Sequence, residues 1–192
     1  MKNMYIIASF ILVFSFSQVK AQQTPAKTTS ETISIIGATA HIGDGSVIEN
    51  ATIILEAGLI QEIGKTSEIN AQGTVIKAEG QHVYPGLIMP NSTLGLGEID
   101  AVKATRDFDE VGSLLPHVRS LIAYNAESKV VESMRPNGIL LAQVTPRGGR
   151  ISGTSSIVQL DAWNWEDAAV KIDDGIHINW PQSYLRRYEP SL

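Results

Sequence analysis

The chain has 192 residues, 43% of them apolar, with a formal net charge of −5 and no cysteine. An acidic balance of this kind argues against nucleic acid or anionic membrane surfaces as partners. The lack of cysteine rules out disulfides and a lipidated-cysteine anchor.

Residues 1–21 read as a secretory signal peptide. Lys2 supplies a positive start, and Met4 to Phe16 is an apolar run too short to span a bilayer comfortably. Val19-Lys20-Ala21 offers small residues for cleavage after Ala21. A buried N-terminal helix is the other reading of this run. Cleavage leaves no membrane anchor, and it makes the remainder more acidic because Lys2 and Lys20 leave with the signal. The expectation is an exported protein, periplasmic or secreted; an exported chain without cysteine suits a bacterial periplasm. Residues 22–31 are polar and form a flexible linker.

Residues 32–82 read as a small β-domain. A strand runs from Ile33 to about His41, Gly43-Asp44-Gly45 is a turn, and Ala51 to Glu56 is the next strand. Ala57-Gly58 turns the chain into a returning strand at Leu59 to Ile63, which is a hairpin signal. Thr74 to Ala78 adds a short strand. Such spacing predicts a small sandwich or an open β-roll.

Val83 to Ile88 reads as a buried strand, kinked by Pro85-Gly86 and followed by a polar loop, Asn91-Ser92-Thr93. With Leu87, Ile88, Leu94 and Gly95, this stretch resembles the first barrel strand of the amidohydrolase superfamily. There the pattern is Pro-Gly, two apolar residues, Asp-Ala, then His-x-His-Leu-Gly. Met89 and Pro90 stand in place of Asp-Ala here, and Asn91 and Thr93 stand in place of the two metal-binding histidines. The β-rich segment before it also resembles the small β-domain that flanks such barrels. The resemblance, to exported imidazolonepropionase-like members, runs from about Ile33 to Pro181.

Beyond the motif, Ala126 to Met134 is an amphipathic helical segment ended by Pro136-Asn137-Gly138. Ile139 to Val144 reads as a fully buried strand, so strand, helix and strand form a βαβ unit. Thr145 to Ser156 reads as a loop rich in Gly, Ser and Thr, with a strand at Ile157 to Leu160. Trp163 and Trp165 read as core packing, with the lining of a pocket or an interface as the alternative. A complete (β/α)8 barrel takes about 250 residues, and residues 83–192 are fewer than half of that. The expected fold is therefore α/β: an N-terminal β-rich subdomain, as a partial β-sandwich, plus the first two or three βα units of an incomplete TIM-type barrel. The expectation is the front portion, or a remnant, of a larger protein.

The family implies a divalent metal, zinc, that activates water against a C–N bond in a cyclic amide or peptide-like substrate. Asn91 and Thr93 keep the spacing of the two histidines, but an amide oxygen and a hydroxyl are weak neutral donors. No metal ligand or catalytic residue therefore carries over to this chain. His41, His82, His117 and His177 are scattered, with no pair at ligand spacing. Asp107-Phe108-Asp109-Glu110 reads as a solvated acidic face. The candidate substrate-binding stretch is Arg147-Gly148-Gly149-Arg150, where glycines allow close approach and two arginines can meet a carboxylate or phosphate. A plain connection with two solvent-facing arginines is the equal alternative.

The sequence thus reads as an amidohydrolase-family protein without its own metal site, completed by a missing C-terminal half or a catalytic partner chain. The alternatives are a non-catalytic homologue, a pseudoenzyme that binds a ligand or partner, or an inactive fragment.

Overall fold

A computed structural model describes residues 24–99 and 101–180. The expected signal peptide, the start of the linker and the basic Arg186-Arg187 tail lie outside the described residues.

Two sheets organise the described chain. The first contains β1 (Ile33–His41), β2 (Val47–Glu56), β3 (Leu59–Lys65), β4 (Thr74–Lys77) and β5 (His82–Val83). The order β3-β2-β1 is antiparallel, and β4 and β5 lie parallel to β1 along its other side. Ala57 and Gly58 both have positive φ, 49° and 79°, so the β2–β3 hairpin closes through a primed turn that matches strand twist. Gly37, at φ 79°, interrupts the β1–β2 register as a bulge. Of the two forms expected, a small sandwich or an open β-roll, the described residues form one open sheet. Its core is small: Ala40, Ala51 and Ile53, packed by Ile35, Ile48, Leu55 and Val83.

The second sheet has the order β6-β7-β8-β9, with β6 (Leu87–Ser92), β7 (Ile139–Val144), β8 (Ile151–Gln159) and β9 (Ala169–Ile178). β6 and β7 are parallel, and the crossover between them carries α1 (Lys129–Met134). The Ser128 side chain caps α1 by accepting from Val130 N–H, and Gly138 at φ 84° ends the turn that follows it. The βαβ unit read from the sequence is therefore present. β8 and β9 then add antiparallel strands, so the described residues hold one βα unit, within the two or three that the length allows. The single-turn helix α2 (Trp165–Ala168) precedes β9; Asn164 accepts from Asp167 N–H while Asp167 accepts from Trp163 N–H.

Three sequence readings change. β8 begins at Ile151, so the Gly/Ser-rich loop ends at Arg150. Residues 151–156 are strand because they are paired on both sides: β9 on one, and bridges from Leu114 and Arg119 to Ile151 and Thr154 on the other. Small side chains permit this, since a Cβ on Gly153 would lie 2.4 Å from the Val118 carbonyl oxygen. Second, the Pro85-Gly86 strand is split into β5 and β6, and Leu87 and Ile88 are 59% and 61% exposed rather than buried. β6 is the edge of its sheet among the described residues. Likewise β7 is only partly buried. Third, Trp165 packs at the core margin, but Trp163 is 56% exposed.

The main core lies over the second sheet: Leu94, Leu96, Leu121, Tyr124, Val131, Val144, Val158 and Leu160. Val144 and Val158 are fully buried, which at roughly 1.5–3 kcal/mol each anchors β7 and β8 beneath the crossover.

Candidate functional site

Ligands of α/β folds gather at the carboxyl ends of parallel strands. Here that end is formed by Asn91 at the close of β6 and the loop 145–150 after β7. The two meet. Arg147 donates through Nη1 to Asn91 Oδ1 at 2.6 Å and through Nη2 to the Asn91 carbonyl oxygen at 2.7 Å. Thr145 Oγ1 donates to Asn91 Oδ1 at 3.2 Å. Asn91 has φ 49°, a left-handed conformation that Asn tolerates better than most residues. Thr93 lies just past β6, and its carbonyl oxygen accepts from Leu96 N–H. Ser92 Oγ accepts from Leu94 N–H, so the segment is a hydrogen-bonded turn.

A polar row continues from Asn91 across the sheet. Gln143 Oε1 accepts from Asn91 N–H at 3.1 Å, and Gln143 Nε2 donates to Asp174 Oδ2 at 2.7 Å. Lys171 pairs with the other Asp174 oxygen at 2.7 Å. Bonds from Lys171 and then from Gln143 hold the Asp174 carboxyl below the ordinary carboxylate value. The His177 imidazole is pushed down too, first by burial and then by the charge of Arg147, with Asp174 opposing. It therefore stays neutral to lower pH than an ordinary imidazole does.

The candidate stretch Arg147-Gly148-Gly149-Arg150 is thus tied to the scaffold at all four of its residues, at Arg150 through the main chain alone. Arg147 is half-buried on Asn91. Asn179 Nδ2 donates to the carbonyl oxygens of Gly148 and Gly149. Arg147 N–H donates to the Phe108 carbonyl and Arg150 N–H to the Ser113 carbonyl, both at 2.6 Å. Arg150 is exposed. The Asp107–Glu110 segment runs alongside, with Asp109 bridged to Arg147.

Sequence reasoning missed Gln143, Asp174, His177 and Asn179. Each lies on or beside β7 or β9, and none sits in a motif. The histidines also hold a surprise. His41 and His82, read as scattered, stand with Nε2 and Nδ1 3.0 Å apart.

The residues at the end of β6 do not fit zinc. The Asn91 side-chain oxygen already accepts from a guanidinium, and a second cation there meets repulsion. Among the described residues, no group of three or more His, Cys, Asp or Glu could hold a metal ion. Among the same residues, no helix is long and apolar enough to cross a membrane.

No protein-family model matches the sequence, and no curated protein matches it. The structure is similar to an amidohydrolase from Thermotoga maritima, with a TM-score of 0.72 at 19% identity. That match covers 78% of this chain and 39% of the Thermotoga chain. A molinate hydrolase matches over 34% of this chain and 15% of its own, at 31% identity and a TM-score of 0.31. The chain therefore has the mixed α/β, two-sheet fold of part of an amidohydrolase, and it spans 39% of the length of that neighbour.

Proposed function

We propose that this chain is the front portion of an exported, imidazolonepropionase-like amidohydrolase scaffold that holds no family-type metal at the end of β6. In this reading β6, the α1 crossover and β7 are the first βα unit of a TIM-type barrel. Catalysis on a non-peptide C–N bond, in a cyclic amide or peptide-like compound, requires ligands from a C-terminal half or from a partner chain. The observation that supports it most is the Arg147–Asn91 pair. A permanent cation is bound to the residue standing where the resemblance expects an imidazole ligand. No catalytic step is assigned to residues of this chain.

A second reading, a non-catalytic homologue that binds a ligand or partner, is favoured by one feature. Arg150 is exposed while its main chain is pinned to Ser113, so a cation is presented from a fixed backbone.

Purification of the chain from its native host, with zinc analysis and identification of companions, tests the proposal. A continuous or associated polypeptide carrying further βα units is the expected result. Zinc held tightly by this chain alone, and lost in N91A or T93A, overturns it. A chain that is always alone and monomeric counts against both readings.

A further inference from the structure

The proposal here concerns the first sheet and does not depend on the amidohydrolase reading. Chemistry-bearing side chains meet there at the junction of β1 and β5. The two strands are parallel neighbours, with Thr39 opposite His82 and Ala40 opposite Val83. This register sets the last residue of β1, His41, beside His82 and Tyr84. His41 Nε2 and His82 Nδ1 are 3.0 Å apart. The Tyr84 ring stacks on His41 with centroids 4.1 Å apart and planes 11° from parallel. His82 and Tyr84 are exposed, and His41 is half-buried.

We infer that His41 and His82 form a solvent-open, two-imidazole site for a divalent late transition-metal ion, with Cu²⁺ the preferred occupant. Two imidazole nitrogens bound at about 2.0–2.1 Å to one ion, at square-planar (cis) or tetrahedral angles, lie about 2.8–3.4 Å apart. The observed separation falls in that range, so the backbone need not move. A rotation of the rings turns two nitrogens that share one proton into two lone pairs directed at one ion.

Proton bookkeeping permits the exchange. In the metal-free pair, one neutral ring donates N–H to the lone pair of the other. On binding, the donating ring shifts its proton to its outer nitrogen. Both inner lone pairs then face the ion, and no net proton is released. Imidazole suits Cu, Ni and Zn, and the order of divalent affinities places Cu²⁺ above the others. Water completes the coordination shell. Tyr84 holds the His41 ring plane by stacking, which limits the orientations the ligand must give up on binding.

The ion would bind only where β1 and β5 are paired. It therefore stabilises the folded state by mass action and ties the first sheet to the strand that leads, through Tyr84-Pro85-Gly86, into β6.

The test uses the full chain without an affinity tag, titrated with CuCl2 and followed by calorimetry, thermal melting and electron paramagnetic resonance. The expected result is one equivalent of Cu²⁺ with hyperfine splitting from two nitrogens, and a melting temperature that rises with copper. H41Q and H82Q each weaken binding at least tenfold and abolish the copper-dependent rise, while H117Q binds as the parent does. Melting each variant without metal confirms its fold; if either does not fold, nitrogen splitting in the parent, read at one equivalent against H117Q, decides. Absence of two-nitrogen splitting in the parent, or unchanged copper binding in folded H41Q or H82Q, overturns the inference.

Discussion

The Arg147 guanidinium bonds both oxygens of Asn91, at 2.6 and 2.7 Å, and so joins the loop after β7 to the end of β6. β6 has a neighbour on only one side among the described residues. This contact therefore does what a second neighbouring strand would otherwise do at that end. Charge-assisted bonds contribute about 1.5–3 kcal/mol when buried, and less at a half-exposed site. R147A is expected to cost about 1–2 kcal/mol, seen as a lower urea midpoint at unchanged slope. R147K should recover only part of the loss, because an ammonium is a point charge and cannot span both oxygens.

The same guanidinium acts on His177. Burial and the Arg147 charge both push the imidazole below its ordinary value. Folded His177 therefore takes up a proton at lower pH than the unfolded chain does. Its contribution to stability is fully present above about 6.5 and is lost as pH falls through that value toward the lowered one. In R147Q, one of the two downward pushes is gone. The His177 ring resonances, followed by NMR, should then titrate at higher pH than in the parent. H177Q should remove the decline in stability between pH 7 and 5. A later loss below the ordinary carboxylate value remains, from Asp173 held by Arg119 and Asp174 held by Lys171 and Gln143.

How much of this was legible follows from which interactions are local. The β2–β3 hairpin and the end of α1 could be read because Ala57-Gly58 and Pro136-Asn137-Gly138 are turn signals acting within a few residues. The extent of β8 could not. Ile151 to Ser156 carries small polar residues, and what makes it a strand is pairing with β9 and with residues 114–119, which composition does not reveal. The placement of Arg147 on a loop after a strand was readable, but its partner Asn91 lies 56 residues away. His41 and His82 were separated by reading along the chain, when only the parallel pairing of β1 with β5 brings them together.

Gly153 tests why that unreadable segment is a strand. It has φ 124°, and a Cβ there would stand 2.4 Å from the Val118 carbonyl oxygen. Backbone cannot yield as a side-chain end can. G153A is expected to cost about 2–4 kcal/mol, from strain and from overlap that separates residues 114–119 from β8. G45A is the matched control. Gly45 has φ 96° with nothing within 4 Å of its added carbon, so strain alone remains and the cost is about 1 kcal/mol. Chemical denaturation of the two variants side by side separates the terms.

Tyr124 gives a prediction of the opposite sign. Its ring is 4% exposed within the main core, beside Gly95, where an added Cβ would fall 2.4 Å from the ring. Among the described residues its hydroxyl oxygen has no hydrogen-bond partner. Burial raises the phenol to about 12, against a smaller lowering by Arg135. The ring thus contributes through packing, and the hydroxyl adds a desolvation cost with nothing to offset it. Y124F keeps the ring and removes the orphaned group. It is expected to leave stability unchanged or to raise it by up to about 1 kcal/mol. Y124A, which removes the ring, should cost about 3–5 kcal/mol by opening a cavity against Leu121 and Gly95. Thermal melts of both variants decide the matter. A loss of more than about 1 kcal/mol in Y124F would mean that the hydroxyl has a partner after all.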